Sequence, residues 1–233
     1  MALSYGPSIV TNGLVLCLDA GDGLSYPSNG VTWTDLSGQG NHGTLSNVSY
    51  SNSNNGSLSF NGTNSGVQLS HNSTWVLTPS NSFSLCSWFY AEPTTQFNSM
   101  IFSHQKCNSP AFQIVVNDIT SLAFRVSGNF NQFATYSSNV TGQWNYVVAT
   151  FGGSSGEMKL YLNGNLRASN VNNKGWSSYT PGYSEVWLGR RYPCSVTNEL
   201  TGKISTFSFY KDKVLTSSEI LQNFNALRGR FGV

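Results

Sequence analysis

The acidic residues are the first candidates for chemistry, because a pair of carboxyl groups can hydrolyse a glycosidic bond. The two groups must stand about 5–5.5 Å apart in a retaining enzyme and about 6.5–9.5 Å apart in an inverting one. On a strand this requires acids at positions i and i+2 or i+4, facing one cleft. The 233 residues contain ten acids, at positions 19, 22, 35, 92, 118, 157, 185, 199, 212 and 219, and none forms such a strand pair. The sequence therefore argues against glycoside hydrolysis, and we expect no enzyme activity.

The three histidines offer no better catalytic site. His42, His71 and His104 lie in loop-like or strand-end sequence, and the chain has neither a G-x-S-x-G elbow nor an H-E-x-x-H zinc motif. His104 and Cys107 would supply two metal ligands, whereas a structural zinc site needs four. We interpret this pair as a surface histidine beside an ordinary thiol.

A calcium site is the closer alternative, since hard cations take carboxylate and carbonyl oxygens. Asp19, Asp22 and Asp35, all in the amino-terminal segments, are the candidate ligands. The competing interpretation is that these aspartates accept hydrogen bonds from backbone amides at a strand end and in turns. The residues alone leave both interpretations open.

Aromatic rings in polar loops are the candidates for binding. Trp176, Tyr179 and Tyr183 lie in a segment rich in glycine and proline, and Trp75 lies in another polar stretch. Rings that stack on a sugar, together with neutral amides and hydroxyls, bind carbohydrate without net charge. The alternative, of equal standing, is that these rings cover an edge of the fold or pack against a neighbouring subunit.

Charged residues are scarce. Asp, Glu, Lys and Arg make up 9% of the chain, against roughly 25% in an average soluble domain. With a net charge of +2 there is no polycation for a phosphate backbone, so nucleic acid is not an expected partner. No apolar run approaches the ~20 residues of a spanning helix, so membrane insertion is not expected either. Four arginines are candidates for contact with an acidic partner, with simple solvation as the alternative: Arg190, Arg191, Arg228 and Arg230.

The four cysteines are widely separated and form no C-x-x-C pair. Cys17 and Cys86 lie inside apolar strand patterns, where cysteine behaves as a small hydrophobic residue, so we expect buried free thiols. A bridge between Cys107 and Cys194 stays open, because both lie in loop-like sequence. The amino terminus lacks the pattern of a secretion signal, so we expect a protein that is mature from residue 1.

The elements that must position these side chains are short strands. Asn-Gly pairs recur along the chain and predict tight turns. Between them, runs rich in Val, Phe, Tyr, Trp and Thr predict strands at 14–18, 57–60, 83–90, 99–104, 112–117, 122–127, 144–151, 158–162, 185–188 and 203–210. Many short strands at this spacing predict an all-β sandwich or barrel rather than βαβ units.

Two further patterns predict how the strands are covered. The segment 144–151 is apolar at both alternating sets of positions, so both of its sides are expected to be buried. Thr216 to Glu219 form a capping box, followed by an apolar stripe and by Gly229 as the stop. We therefore expect a helix over 216–228 that docks on the sandwich. The whole chain, 1–233, is expected to be one domain with residues 1–10 as an amino-terminal arm.

Several segments taken together resemble a known fold family. They are LVLCLDAGD near the start, WTDLSGQGNHGTL at 33–45, SLSFNGTNSGVQL at 57–69, FSLCSWFY at 83–90, WNYVVATFGGSSGEMKLYLNGNL at 144–166, VWLGRR at 186–191 and LTGKISTFSFYKDKVLTSSEILQNF at 200–224. In this order they resemble the concanavalin A-like jelly roll of the laminin G-like kind, which implies a two-sheet antiparallel sandwich. Many relatives bind calcium and read F-D-G-x-D-D where this chain has neutral residues from Asn61 to Ser65, which weakens a calcium site there.

A finer resemblance involves the ends of the chain. MALSYGPSIVTNGLVLCLDAG, DLSGQGNHGTL and QNFNALRGRFG resemble segments of virion structural proteins of tailed phages, particularly phages of marine bacteria. This resemblance implies a non-catalytic virion surface protein, such as a capsid decoration protein, that contacts other capsid or tail proteins. It would assemble in the host bacterial cytoplasm, where thiols stay reduced. A homo-oligomer and a cell-surface glycan are further partners to consider. The alternatives are a lectin-like receptor-binding protein on a tail appendage and, least favoured, a glycan hydrolase.

Overall fold

The computed structural model describes residues 8–70, 72–95, 98–106, 109–126, 133–171, 185–191 and 199–233. These residues form sixteen strands, numbered β1 to β16 in chain order, and one α-helix, α1. The strands are Leu14–Asp19, Thr32–Trp33, Gly43–Ser46, Ser49–Ser51, Ser57–Asn61, Gly66–Leu69, Ser82–Ala91, Ser99–Lys106, Ser109–Asp118, Ser121–Val126, Phe133–Tyr136, Trp144–Gly152, Glu157–Leu162, Asn165–Val171, Glu185–Leu188 and Thr201–Lys211. The helix spans Ser217–Phe231.

The predicted strands are all present, with ends that differ from the predictions by no more than three residues. Six further strands were not predicted: β2, β3, β4, β6, β11 and β14. Most of these are short, and β14 is almost wholly exposed, so they lack the apolar alternation that marks a half-buried strand. They form because a neighbouring strand offers a free edge of N–H and C=O groups.

The strands make two antiparallel sheets. In the first sheet the order is β14-β13-β12-β7-β16-β5-β4, and β1 also pairs with β16. In the second sheet the order is β11-β10-β9-β8-β15-β6-β3-β2. The first half of the long strand β16 pairs with β5 and its second half pairs with β1. The predicted all-β, two-sheet antiparallel jelly-roll sandwich is therefore confirmed.

The core between the sheets is largely aromatic. The rings of Phe102 and Phe207, one from each sheet, stack with centroids 5.2 Å apart. Phe83 lies 4.7 Å from Phe112 and 5.4 Å from Phe151 by the same measure. Burial of each such ring contributes about 1.5–3 kcal/mol to folding before conformational entropy is counted. A chain with few charges can therefore hold two large sheets together by apolar contact alone.

The helix α1 covers the outer face of the first sheet. Trp88 on β7 stacks against Phe231 of the helix, with centroids 4.2 Å apart, and against Phe224 at 5.6 Å. On β12, Tyr146 and Val148 pack in this layer, whereas the alternate residues, including Val147, pack in the core. The prediction that β12 is covered on both sides is confirmed.

The start of α1 was predicted correctly and its end was not. The Thr216 hydroxyl accepts a hydrogen bond from the Glu219 amide at 3.3 Å, and the Glu219 carboxylate accepts one from the Thr216 amide at 2.8 Å, which is the predicted capping box. Gly229, however, lies inside the helix, and Gly232, with φ of 70°, provides the left-handed cap. The helix runs past 228 because one more turn buries Phe231 against Trp88.

Residues 8–10 of the expected amino-terminal arm lie along α1. The Val10 amide donates to the Asn223 side chain at 2.8 Å, and the Ser8 carbonyl accepts from Gln222 at 2.7 Å. Residues 1–7 lie outside the described ranges. Among the residues that the structure describes, no helix is both long and apolar enough to cross a membrane.

Candidate functional site

Asp35 uses both of its carboxylate oxygens inside the fold. One oxygen accepts the amides of Cys17 and Ser37, each at 2.9 Å, and the other accepts the Asn41 amide at 3.0 Å and the Ser37 hydroxyl at 2.8 Å. Asp22 accepts the Leu24 amide at 2.8 Å. These bonds fasten the segment after β1 to the sandwich, as expected for aspartates that bond backbone amides.

Asp19 is neutralised by an arginine from the far end of the chain. Arg230 of α1 lies 2.7 Å from the Asp19 carboxylate and also donates, at 2.6 Å in each case, to the carbonyls of Asn54 and Gly56 and to the Ser205 hydroxyl. Asp19, Asp22 and Asp35, the candidate calcium ligands, each bond protein groups, which favours the alternative interpretation that these aspartates serve the fold. In the described part of the chain no three His, Cys, Asp or Glu side chains are placed to hold a metal.

Two residues that were expected at the surface lie in the core. Trp75 has no exposed surface, and its ring stacks on Phe209 with centroids 4.7 Å apart. It is therefore not available for contact with a glycan or partner, because its short helical turn packs inward between the sheets. His104 is also fully buried, 4.6 Å from the Phe112 ring, so the interpretation as a surface histidine is wrong. Trp176, Tyr179 and Tyr183, with Cys107 and Cys194, lie outside the described residues.

A pocket of about 230 Å³ lies between α1 and the first sheet. It is lined by both described cysteines, which are free as predicted, and by Tyr146, Tyr210 and Asn223. The Asn223 amide donates to the Tyr210 hydroxyl at 3.0 Å, which in turn donates to the Val10 carbonyl at 2.8 Å. Burial raises the pKa of Cys17 to about 11 and that of Cys86 to about 12, so neither thiol is a nucleophile at neutral pH.

The outer face of the second sheet has a different character. One residue from each of its eight strands stands opposite the next, so that all eight side chains share this face. We call this set the cross-strand row. Its members are Phe133, Arg125, Gln113, Ser103, Trp187, Gln68, Thr44 and Thr32. The row holds two aromatic rings, one cation and five neutral hydrogen-bonding groups, whereas the residues on either side of it in β8, β9, β10 and β15 point into the core.

Trp187 stands at the centre of the row and is held on two sides. Its indole N–H donates to the Glu185 carboxylate at 2.6 Å, and the Arg190 guanidinium carbon lies 4.9 Å from its ring centroid. Arg190 reaches this position across Gly66, where a larger side chain would collide with the arginine stem. Gln68, Thr44 and Thr32 are exposed on one side of Trp187, while Ser103 and Gln113 are buried on the other.

The two neighbouring arginines named from the sequence both lie beside the row. Arg190 forms an ion pair with Glu199 at 3.4 Å, and its carbonyl accepts the Ser103 hydroxyl at 2.8 Å. Burial raises the pKa of Glu199, and the charge of Arg190 opposes that rise. Arg191 is half-buried, and the loss of water around its guanidinium lowers its pKa. Arg228, by contrast, is on α1, which covers the first sheet. Its guanidinium carbon lies 5.7 Å from the Phe224 ring centroid.

A sandwich of two antiparallel sheets, with a helix over the outer face of one of them, defines the class as a concanavalin A-like jelly roll. Residues 61–221 match the laminin G-like family model of the concanavalin A-like lectin/glucanase superfamily, and the chain belongs to that superfamily. No curated protein sequence matches the chain.

Solved structures share the fold at low sequence identity. The binding domain of botulinum neurotoxin DC, solved with rat synaptotagmin II, is 18% identical with a TM-score of 0.70 over 94% of this chain and 52% of that one. A sialidase from Trypanosoma rangeli is 15% identical, with a TM-score of 0.72 over 98% of this chain and 36% of the enzyme. A third structure is domain 4 of an extracellular arabinanase from Geobacillus stearothermophilus, solved with arabinotriose. It is 19% identical, with a TM-score of 0.63 over 91% of this chain and 98% of that domain. The chain thus spans about half the length of the neurotoxin domain.

The cross-strand row was missed from the sequence because each strand contributes a single residue to it. The alternation in 185–188, where Glu185 and Trp187 oppose Val186 and Leu188, did signal an outward-facing tryptophan. Only the order of strands in the sheet shows that Gln68 and Ser103 lie on either side of that ring.

Proposed function

We propose that this chain is a non-catalytic glycan-binding module whose binding surface is the outer face of the second sheet. The observation that carries the proposal is the exposed end of the cross-strand row, where Gln68, Thr44 and Thr32 lie side by side next to the buried Trp187. The amide and hydroxyl groups of these three side chains can exchange hydrogen bonds with the hydroxyls of a sugar.

The fold comparisons support this choice over a purely structural role. The arabinanase domain matches this chain along nearly its full length and was solved with arabinotriose, and the neurotoxin structure is a binding domain. Their low identity to this chain gives the fold alone, so the ligand of neither is transferred. The binding role is proposed instead from the polar side chains that this chain itself places on the outer face of the second sheet.

The proposal of a non-catalytic role follows from the partners of the acids. Eight acidic side chains of the described residues accept a hydrogen bond or form an ion pair: Asp19, Asp22, Asp35, Glu157, Glu185, Glu199, Asp212 and Glu219. Glu185 and Glu199 lie nearest the row, and each is held by Trp187 or Arg190. A retaining or inverting hydrolase would need two carboxyl groups facing the sugar. Release of reducing ends from any bound glycan would overturn this part of the proposal.

A glycan array tests the binding role directly. Wild-type protein should bind at least one class of saccharide, and Gln68→Ala, which removes an exposed amide of the row, should weaken that binding several-fold. Ser169→Ala is the matched control, because Ser169 is exposed on β14 of the first sheet. An array without any bound glycan, or equal binding by all three proteins, would contradict the proposal.

The surface of a phage particle is the setting that we propose for this module. Its support is the resemblance of the start, middle and end of the sequence to segments of virion structural proteins, and a non-catalytic module of this fold suits a capsid decoration or tail-appendage protein. The test is mass spectrometry of purified particles, in which the protein should be present in many copies. Its absence from mature particles would end this part of the proposal and leave the binding role intact.

A further inference from the structure

The pocket of about 230 Å³ beside α1 owes its space to small side chains on the first sheet. Cys17 of β1, Ser208 of β16 and Cys86 of β7 stand opposite one another in the register of these strands, and together they form its floor. Leu227 of α1 also lines it. The pocket is open because the sheet presents thiols and a hydroxyl here, whereas the ring of Trp88, two residues along β7, fills the space beneath the helix.

The pocket changes in character from its inner end to its mouth. Cys86 and Tyr146, which are 2% and 4% exposed, mark the inner end. Leu36, which is 38% exposed, and the half-buried Asp22 mark the mouth. An apolar cavity of about 150 Å³ is large enough for benzene, so the larger volume here suits a molecule of about nine non-hydrogen atoms. A matching ligand has an apolar body and a polar end that stays at the mouth.

The mouth of the pocket carries a negative charge that no described cation neutralises. Asp19 and Asp22 both line the pocket, and Arg230 pairs with Asp19 at 2.7 Å. Among the described residues no Lys, Arg or His lies within ion-pair distance of Asp22. One oxygen of the Asp22 carboxylate accepts the Leu24 amide at 2.8 Å, which orients the group. The other oxygen has no donor in the described part of the chain and is available to a ligand.

The Cys17 thiol shows the sign of the electrostatic potential inside the pocket. Burial raises the pKa of this thiol to about 11, and the charges of three aspartates raise it further, although a hydrogen bond with Ser208 lowers it. The three are Asp19, Asp35 and Asp22. A potential that opposes a thiolate favours a cation. Because no three His, Cys, Asp or Glu side chains of the described residues are placed to hold a metal ion, an organic cation fits this pocket better than a metal does.

We propose that this pocket binds a small organic cation, such as a primary amine that carries an aromatic ring or a short apolar chain. The apolar body lies over the floor formed by Cys17, Ser208 and Cys86, and the ammonium group pairs with the Asp22 carboxylate at the mouth. The site is on the opposite side of the sandwich from the cross-strand row. It therefore stands or falls independently of the glycan-binding role.

Backbone amide NMR titrations with two matched ligands test this site. Phenethylamine carries an ammonium group at neutral pH, and 2-phenylethanol is a neutral molecule of the same size. Both should shift the amides of β1, β16 and the second half of α1 in wild-type protein. The amine should bind more tightly by roughly fivefold, which corresponds to about 1 kcal/mol. Asp22→Asn, which keeps an acceptor for the Leu24 amide but loses the charge, should remove most of that preference.

Two further variants serve as controls. Glu157→Gln removes one negative charge from an exposed position on β13 and should keep the full preference. Ser208→Leu fills the floor of the pocket and should abolish binding of both ligands, and thermal melts show whether each variant is folded.

Three results would overturn the proposal. The first is equal affinity of wild-type protein for the amine and the alcohol, or no saturable shift with either. The second is unchanged binding by a folded Ser208→Leu protein. The third is a preference that Glu157→Gln loses as fully as Asp22→Asn, because net charge alone would then explain it. None of these results bears on the glycan-binding role.

Discussion

The two outer faces of the sandwich are built for different purposes. On the first sheet, Trp88 and Tyr146 are apolar rings that α1 covers with Phe224 and Phe231. On the second sheet, the cross-strand row is polar and the described helix does not reach it. The first face therefore contributes to stability through burial. On the second face Gln68, Thr44 and Thr32 are exposed, whereas Ser103 donates to the Arg190 carbonyl and Gln113 is buried. We infer that stability and glycan binding are assigned to opposite sides of the molecule.

The treatment of arginine shows the same difference. Arg230 on the helix-covered side meets a carboxylate, two carbonyls and a hydroxyl, so that its donors are matched within the fold. Arg125 and Arg191 on the opposite side have buried Nε groups without a described partner. A buried donor left unmatched costs about 1–3 kcal/mol. Such donors occur on both faces, since the indole N–H of Trp88 beneath α1 is also buried without a described partner.

The largest expected loss of stability comes from removing an aromatic ring beneath α1. Trp88→Ala should lower the free energy of unfolding by about 3–5 kcal/mol, because it leaves a cavity between Phe231 and Tyr146. Urea denaturation measures the change. Trp187→Ala, in the row, is the comparison and should cost less, since the Trp187 ring packs against the side chain of Arg190 rather than beneath a helix. Equal costs for the two tryptophans would remove the proposed distinction between the faces.

Breaking the Arg230 contacts should have the next largest effect. Arg230→Ala should cost about 3 kcal/mol, because it removes the guanidinium donors of the Asp19 carboxylate and of two carbonyls. Arg230→Lys should recover little of this, since one ammonium cannot reach all four acceptors. Arg191→Gln should leave the unfolding free energy nearly unchanged. A destabilisation by Arg191→Gln as large as that by Arg230→Ala would mean that both arginines serve the fold.

The thiols of the half-buried Cys17 and the buried Cys86 should make stability fall at high pH. The pKa of Cys17 is raised to about 11 and that of Cys86 to about 12, whereas a thiol in the unfolded chain has a pKa of about 8.5. The unfolded state therefore releases its thiol protons first as the pH rises, and the native state loses stability from about pH 8.5 up to the folded pKa values. Cys86→Ala should flatten this part of the stability curve measured by denaturation at pH 8 to 10.5. A slope unchanged by this substitution would show that Cys86 is not shielded by the helix-covered face.

The strands of the core could be predicted from the sequence, and the binding face could not. The alternation in 144–151 and the capping box at Thr216 are local patterns, and both predictions were confirmed. Trp75 was misplaced because its neighbours in the sequence are polar, whereas its neighbours in space are Phe102 and Phe209. The partner of Asp19 is likewise 211 residues away. Arg190 and Arg191 were identified from the sequence, but their relation to Arg125 depends on the order of strands, which no local pattern contains.

The smallest stability effect, paired with a clear binding effect, should come from Gln68. Gln68→Ala removes an exposed side chain of the row and should change the unfolding free energy by no more than about 0.5 kcal/mol. The same substitution should weaken glycan binding several-fold in titration calorimetry. Unchanged glycan binding together with a loss of more than about 1 kcal/mol in unfolding free energy would show that the Gln68 amide stabilises the sheet and does not bind a ligand.

The most direct test of the account is to map where a glycan contacts the folded wild-type protein. Backbone amide NMR spectra are recorded during titration with the best ligand from the array. We expect shifts concentrated on β6, β8, β9, β10 and β15, around Trp187 and Gln113, with α1 and β12 unchanged. Shifts concentrated on α1 and β12, with the second sheet unchanged, would contradict it.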